Sequence, residues 1–309
     1  MSEVRFAAQL WPTASDWPAF RDAALAAEAA GWDSLWTWDH LLATQGPWDG
    51  PIFEGWLTLG AWAALTSRAR LGLMVAANTL RNPGLTAKLA ATLDHVSGGR
   101  AVLGIGAGWF EREHEAFGFD FGAGPGERVD RLDEALGLVR RLLDGERVTQ
   151  AGRFYAFRDA VCAPRPLQPH LPVVVGGSGR RKTLRAVARH ADAWNTSGSV
   201  EQVTEALDAL AEHCRAVGRD PGTIEHSVSF PIVIRDTSRD AEDEVARLCR
   251  HNRVDRLEDI PPLAGSPEAI AERLRPYVAL GFRTVVVRLP APYDHATLAR
   301  MWEVRECLT

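Results

Sequence analysis

RAVLGIGAGWF, residues 100–110, decides between two folds. Its apolar run carries Gly104, Gly106 and Gly108 at alternate positions and closes on Trp109. Glycines this dense at the end of a strand let a backbone come close to something. In a dinucleotide-binding sheet that something is a pyrophosphate. The run must then read G-x-G-x-x-G in the first strand–turn–helix of its unit, with an acidic residue about 20 positions on. Here position 109 is tryptophan, the following FEREHEAFG starts with bulky and charged residues, and the run falls in a fourth strand–helix unit. An α/β barrel fits better, because its functional groups come from the C-terminal ends of its strands. There the missing side chains leave either a slot for a flat ring or tight packing at a barrel corner.

Working outward, strand-like runs recur at VRFAAQLW (4–11), DSLWTWDHL (33–41), ARLGLMVAANT (69–79), AVLGIG (101–106), LPVVVGG (171–177), DAWNTSG (192–198), TIEHSVSFPIVI (223–234) and RTVVVRLP (283–290). They are near-continuous apolar runs, as parallel strands covered on both faces should be. Helical patterns lie between them. One is closed by Gly31 as a C′ glycine, and one covers 53–67. Another opens with Asn82 as N-cap and Pro83 at the first position, and presents Leu85, Leu89, Leu93 and Val96 at helical spacing. RFYAF (153–157) reads as a small extra strand and HNRVDRLEDIPPLAGSPE (251–268) as irregular. The alternation predicts one α/β domain over 1–309, a single (β/α)8 TIM barrel with insertions in the βα loops at its C-terminal face.

The bulk properties exclude other classes. Among 309 residues, 46% are hydrophobic and 24% charged, enough apolar material for a large core. A net charge of −5 offers no basic field for nucleic acid or an anionic membrane. No apolar stretch approaches the roughly 20 residues of a membrane span. Cys162, Cys214, Cys249 and Cys307 show no C-x-x-C spacing, which reads as free thiols in a reducing cytoplasm. The N-terminus runs straight into a strand with no signal peptide.

The strand ends carry the chemistry. Strand two closes on Trp36-Thr37-Trp38-Asp39-His40, where alternation sets Trp36, Trp38 and His40 on one side and Thr37 and Asp39 on the other. His40 beside Asp39 is a candidate proton donor or acceptor near neutral pH. Strand five closes on Gly176-Gly177-Ser178-Gly179 and leads into a helix. Its backbone N–H groups make either an anion site, helped by Arg180, Arg181 and Lys182, or a plain glycine turn. Glu111, His114 and Glu115 lie close together, but EREHE is not H-E-x-x-H, so no metal is expected.

Four long segments now carry a resemblance: AAEAAGWDSLWTWDHL, LRNPGLTAKLAATLDHVSGGRAVLGIGAGW, LPVVVGGSGRRKTLRAVARHADAWN and GSPEAIAERLRPYVALGFRTVVVRLP. In this order the chain resembles the bacterial luciferase-like flavin and deazaflavin oxidoreductases, above all the actinobacterial branch that uses coenzyme F420. The GAGW and GGSG stretches are its most telling parts. The resemblance implies that the cofactor ring lies in the barrel mouth against strands two to four. It implies a non-proline cis peptide at Met74–Val75 within Met74-Val75-Ala76-Ala77-Asn78. Met74, Val75, Ala76, Asn78, Gly106, Ala107 and Gly108 would border the cofactor. Gly176, Gly177 and Ser178 would hold its phosphate, with Asn195 and Thr196 close by.

Asp39 and His40 match an Asp-His pair of relatives that oxidise sugar phosphates. Those relatives carry a glutamate where this chain has Trp109, which argues for a more apolar substrate. Trp48, Trp56 and Trp109 are candidate walls of the substrate pocket, and residues 252–264 a candidate lid. The expected activity is F420-dependent hydride transfer to or from a small organic molecule. The alternatives are an FMN-dependent monooxygenase using O2 and a separate flavin reductase, or a non-catalytic flavin-binding protein. The resemblance also implies a homodimer, for which AWAAL and LAATL of helices two and three offer apolar faces.

Overall fold

The structure, a computed structural model, describes residues 4–258 and 261–308. The expected barrel is present. Its strand positions, numbered one to eight, are Arg5–Leu10, Ser34–Thr37, Arg70–Leu73 continued by Ala76–Ala77, Leu103–Gly106, Val173–Gly176, Ala193–Thr196, Glu225–Ile234 and Phe282–Leu289. All barrel pairings are parallel. Strand one pairs with two and eight, eight with seven, seven with six, six with five, and five with four. Strand three closes the ring in two pieces: Arg70–Leu73 pairs with strand two and Ala76–Ala77 with strand four, with a bridge from Leu71 to Ala101.

The period of two in each strand sorts side chains between two cores. Ala7, Trp36, Val102, Val174 and Val286 pack together, with Met74 against them. Their sequence neighbours Ala8, Leu35, Leu103, Val173, Val175, Val285 and Val287 point the other way and pack with helix residues such as Phe20, Trp62, Leu136 and Val187. Each large apolar side chain so buried contributes about 1.5–3 kcal/mol. The helices start where the chain supplies caps. The Asp16 carboxylate accepts from the Ala19 amide, and the Asn82 side chain accepts from the Gly84 amide with Pro83 opening its helix. Gly31 follows the first helix at φ +88°, as a C′ glycine should.

Several expectations need correction. Strand two stops at Thr37, because the Asp39 side chain takes up the Ala77 amide and the chain turns there. The Leu85, Leu89, Leu93 and Val96 row is not the core face of Pro83–Val96; Leu85 and Val96 are half exposed, and Ala87, Ala90 and Ala91 are buried instead. Trp56 packs in the core under helix Gly55–Leu65, not in a pocket wall. AWAAL and LAATL likewise turn Trp62, Ala63, Ala90, Ala91 and Leu93 inward.

RFYAF is the turn and start of an antiparallel hairpin, Val148–Ala151 with Ala156–Ala160. Helices Glu111–Phe117 and Ser238–Asn252 arise where no element was expected. In the candidate lid, Leu263–Gly265 forms a short strand parallel to strand seven; positions 259 and 260 lie outside the described residues.

Candidate functional site

The break in strand three builds the floor of the site. The Met74–Val75 peptide is cis, as implied by the resemblance. Gln9, from strand one, donates its Nε2 to the Met74 carbonyl (2.9 Å). The Val75 side chain fits between two glycines. A Cβ on Gly106 would stand 2.7 Å from Val75 Cγ2, and one on Gly176 would stand 3.0 Å from Val75 Cγ1. A Cβ on Gly104 would overlap the Leu73 carbonyl oxygen, and one on Gly108, at φ +81°, would overlap Thr79 Oγ1. The glycine run of strand four therefore makes room for the bulged strand three. No slot for a ring opens at Gly104 or Gly106, where the space belongs to Leu73 and Val75.

A cavity of about 350 Å³ lies over this floor, at the lower end of the range for small-molecule sites. Strand ends three, four, five and six converge on it with Met74, Val75, Gly106, Ala107, Gly108, Trp109, Gly176, Gly177, Ser178, Asn195 and Thr196. Eleven of the residues singled out from sequence thus meet in one place. Ala76 and Asn78 do not line it: Ala76 is buried opposite Ile105, and Asn78 Nδ2 donates to the Tyr155 hydroxyl (2.9 Å).

Sequence reasoning missed Gln9, Ser229 and Arg288, which line the same cavity. Gln9 and Arg288 sit side by side in the register of strands one and eight. Each is a polar residue flanked on both sides by apolar ones near the end of its strand, a signal that was legible. Gln9 is 4% exposed, and its Oε1 is buried with no partner among the described residues. An unpaired buried acceptor costs about 1–3 kcal/mol, so a ligand N–H is its natural complement. The Arg288 guanidinium lies 3.1 Å from Glu258, and burial draws its pKa down.

The turn after strand five is held from strand six. Trp194 Nε1 donates to the Gly177 carbonyl (2.7 Å), and the Gly177 amide donates to the Asn195 carbonyl (3.1 Å). The neighbouring cations are partly committed elsewhere: Arg180 pairs with Glu205 (2.6 Å) and Lys182 with Asp130 (2.7 Å). The positive charge next to the turn is thus smaller than its sequence indicates.

Neither Asp39 nor His40 lines the cavity, though His40 packs against its rim residue Trp109, and the two face different partners. Asp39 Oδ2 accepts from the Ala77 amide (2.8 Å) and from Arg81 (2.6 Å), tying strand two to strand three. Burial raises its pKa to about 6 against the lowering effect of Arg81. His40 packs edge-on against Trp38, Trp109 and Phe110. Its Nδ1 is 3.0 Å from Glu113 Oε1, while Glu113 Oε2 accepts from the Leu41 amide (2.8 Å). Glu113 is 1% exposed and was missed; its place on helix Glu111–Phe117 could not be read without that helix.

Trp109 is 64% exposed at the cavity rim. Trp48 stands away from the cavity, half exposed, with the Arg112 guanidinium 3.8 Å over its ring. His114 has both ring nitrogens engaged, by the Phe110 carbonyl (2.8 Å) and Thr79 (2.7 Å). Among the described residues no group of three or more His, Cys, Asp or Glu is placed to hold a metal ion. A larger cavity of about 700 Å³ opens between Thr13, Asp16, Asp49, His251 and Arg253. It touches neither glycine turn, whereas the smaller cavity is lined by both.

Comparison with known proteins identifies the family of the chain. The model of the luciferase-like monooxygenase family matches residues 4–284. An uncharacterized protein of Mycobacterium tuberculosis is 39% identical over 167 residues, 54% of this chain. The match spans only 58% of that protein's length. An F420-dependent glucose-6-phosphate dehydrogenase of Kineococcus radiotolerans is 33% identical over 87% of this chain and 86% of its own. Among solved structures, the coenzyme F420-dependent tetrahydromethanopterin reductase of Methanopyrus kandleri superposes with a TM-score of 0.81 over the full length of both chains, at 20% identity.

Proposed function

The chain belongs to the luciferase-like monooxygenase family, and we propose that within it this protein is an F420-dependent oxidoreductase acting on a small organic substrate. The observation that carries the reading is the cavity floored by Val75, whose lining combines the GAGW and GGSG turns with an unpaired Gln9 acceptor. The F420 dependence of the Kineococcus radiotolerans relative supports the choice of cofactor.

The residues suit a deazaflavin. Met74 and Val75 give its ring an apolar floor. Gln9 Oε1, buried without a partner among the described residues, would accept a ring N–H. The turn Gly176-Gly177-Ser178 takes the phosphate, with Asn195 and Thr196 beside it. When bound, the cofactor supplies a two-electron hydride donor or acceptor. The protein positions the substrate, excludes water and handles one proton. Trp109 covers the cavity rim, and His40 next to it holds or takes the proton. Arg288, a cation inside the cavity, already faces Glu258. With Trp109, this favours a neutral, partly apolar substrate over a sugar phosphate.

We read 1–309 as one domain and the protein as a cytoplasmic homodimer. No helix among the described residues is long and apolar enough to cross a membrane, and four free thiols suit a reducing compartment. For the dimer, the outward residues Leu57 (79% exposed), Leu65 at the end of AWAAL, and Leu85 offer apolar surface on helices two and three, where Trp62, Ala63, Ala90 and Ala91 are buried.

Titrating the purified protein with oxidised F420 and with FMN, following tryptophan fluorescence, tests the reading. Saturable F420 binding with weaker FMN supports it. Preference for FMN moves the protein to the oxygen-using branch. F420 binding without turnover on alcohols, aldehydes, ketones or enones leaves a binding protein.

A further inference from the structure

We infer that Glu113 is a positioning residue that fixes the tautomer of His40, so that Nε2 is the nitrogen that exchanges a proton with substrate. The inference rests on the oxidoreductase reading for its purpose, but its geometry stands without cofactor. Glu113 reaches the site from helix Glu111–Phe117, and its side chain is almost wholly buried. Both carboxylate oxygens are committed to one short segment: Oε1 to His40 Nδ1 (3.0 Å) and Oε2 to the Leu41 amide (2.8 Å). A carboxylate that accepts from the Leu41 amide at one oxygen and meets the imidazole at the other favours the tautomer with the hydrogen on Nδ1. Nε2 then holds the lone pair, and it has no hydrogen-bond partner among the described residues.

Three aromatic rings restrict the imidazole further. Trp38, Trp109 and Phe110 meet it edge-on, with centroids 6.0, 5.3 and 5.8 Å away. Trp109 lines the cavity, so the free nitrogen belongs to a ring packed against the cavity wall. Anchoring the Leu41 amide with the same carboxylate holds the backbone that carries His40. A histidine whose one nitrogen is held by a carboxylate has its other nitrogen defined as the reacting one.

In the oxidising direction Nε2 would take the proton of a substrate hydroxyl, and a bound deazaflavin would supply the two-electron acceptor for the hydride of the adjacent C–H. C–O becomes C=O, and the substrate loses two electrons. In the reducing direction protonated Nε2 would return the proton to the carbonyl oxygen, with the hydride supplied by a bound reduced deazaflavin. Glu113 stays hydrogen-bonded to Nδ1 and would stabilise the imidazolium when it forms.

The test is the 15N spectrum of histidine-labelled full-length protein recorded over a pH series, with His40→Gln identifying its signals. The expected result is the Nδ1–H tautomer as the dominant species of His40. In Glu113→Gln it becomes a minor species or exchanges with the Nε2–H form, while Glu113→Asp retains it in part. F420 affinity stays within about threefold in both variants, because Glu113 does not touch the cavity. A wild-type His40 in the Nε2–H form overturns the inference even if neither variant folds. So does a Glu113→Gln protein with an unchanged tautomer. Failure of F420 to bind at all, with the Nδ1–H tautomer intact, counts against the cofactor reading and leaves the inference standing.

Discussion

Val75 and Gly106 share one space: a Cβ on the glycine would stand 2.7 Å from Cγ2 of the valine. Any side chain at 106 must push strand three out of place. Gly106→Ala is expected to destabilise the fold by about 1–3 kcal/mol, the cost of overpacking a tight core. Adding Val75→Ala should recover part of that loss, with a coupling of about 1 kcal/mol or more in a double-mutant cycle. Urea denaturation of the four proteins checks this. Strict additivity would mean that the two positions do not share a space.

Asp39 gives the stability a pH dependence with a definite sign. Its folded-state pKa, pushed up to about 6 by burial, lies above the usual 3.8. Between those values the folded protein holds a proton that the unfolded chain has released. The stabilising contribution is therefore complete below the unfolded pKa and is lost as pH rises through the folded one. The total is about 3 kcal/mol, at 1.36 kcal/mol per unit. The stability of wild type relative to Asp39→Asn should fall by about that much between pH 3.5 and 7. A difference that rises with pH would show that Arg81 outweighs burial.

The barrel was legible in the sequence because its strands are apolar runs bounded by caps and glycines that act locally. The helix around Asn82 and Pro83 shows this, with both residues in their expected roles. The GAGW and GGSG turns were legible for the same reason. What the Gly104, Gly106 and Gly108 run accommodates was not. Those glycines face Leu73, Val75 and Thr79, about thirty positions earlier in the chain. Glu113 was hidden because its partner His40 is 73 residues away. Gln9 and Arg288 were visible as polar residues flanked by apolar ones near their strand ends. Only the register of strands one and eight sets them side by side at the mouth.

Gln9→Leu removes an acceptor that the protein leaves unpaired. F420 affinity should fall about 2- to 10-fold, the worth of one hydrogen bond. The fluorescence titration measures it. Unchanged affinity would mean that Gln9 Oε1 meets water rather than the ring.

Trp109 is exposed, so its replacement should spare the fold. Trp109→Phe is expected to change stability by less than about 0.5 kcal/mol. It should also remove much of the fluorescence change on F420 binding, although ten other tryptophans remain of the eleven. Thermal unfolding and the titration together check this. A full-sized signal in the variant would put the ring away from the GAGW turn.

The central claim is that the cofactor ring rests on Val75, between the turns at Gly106 and Gly176. A crystal structure of the protein with F420 tests it most directly. The account expects the deazaflavin ring in van der Waals contact with Val75 and its phosphate at Gly177 and Ser178. A ring found in the larger cavity between Thr13, Asp49 and Arg253, or no ordered cofactor at saturating F420, would contradict it.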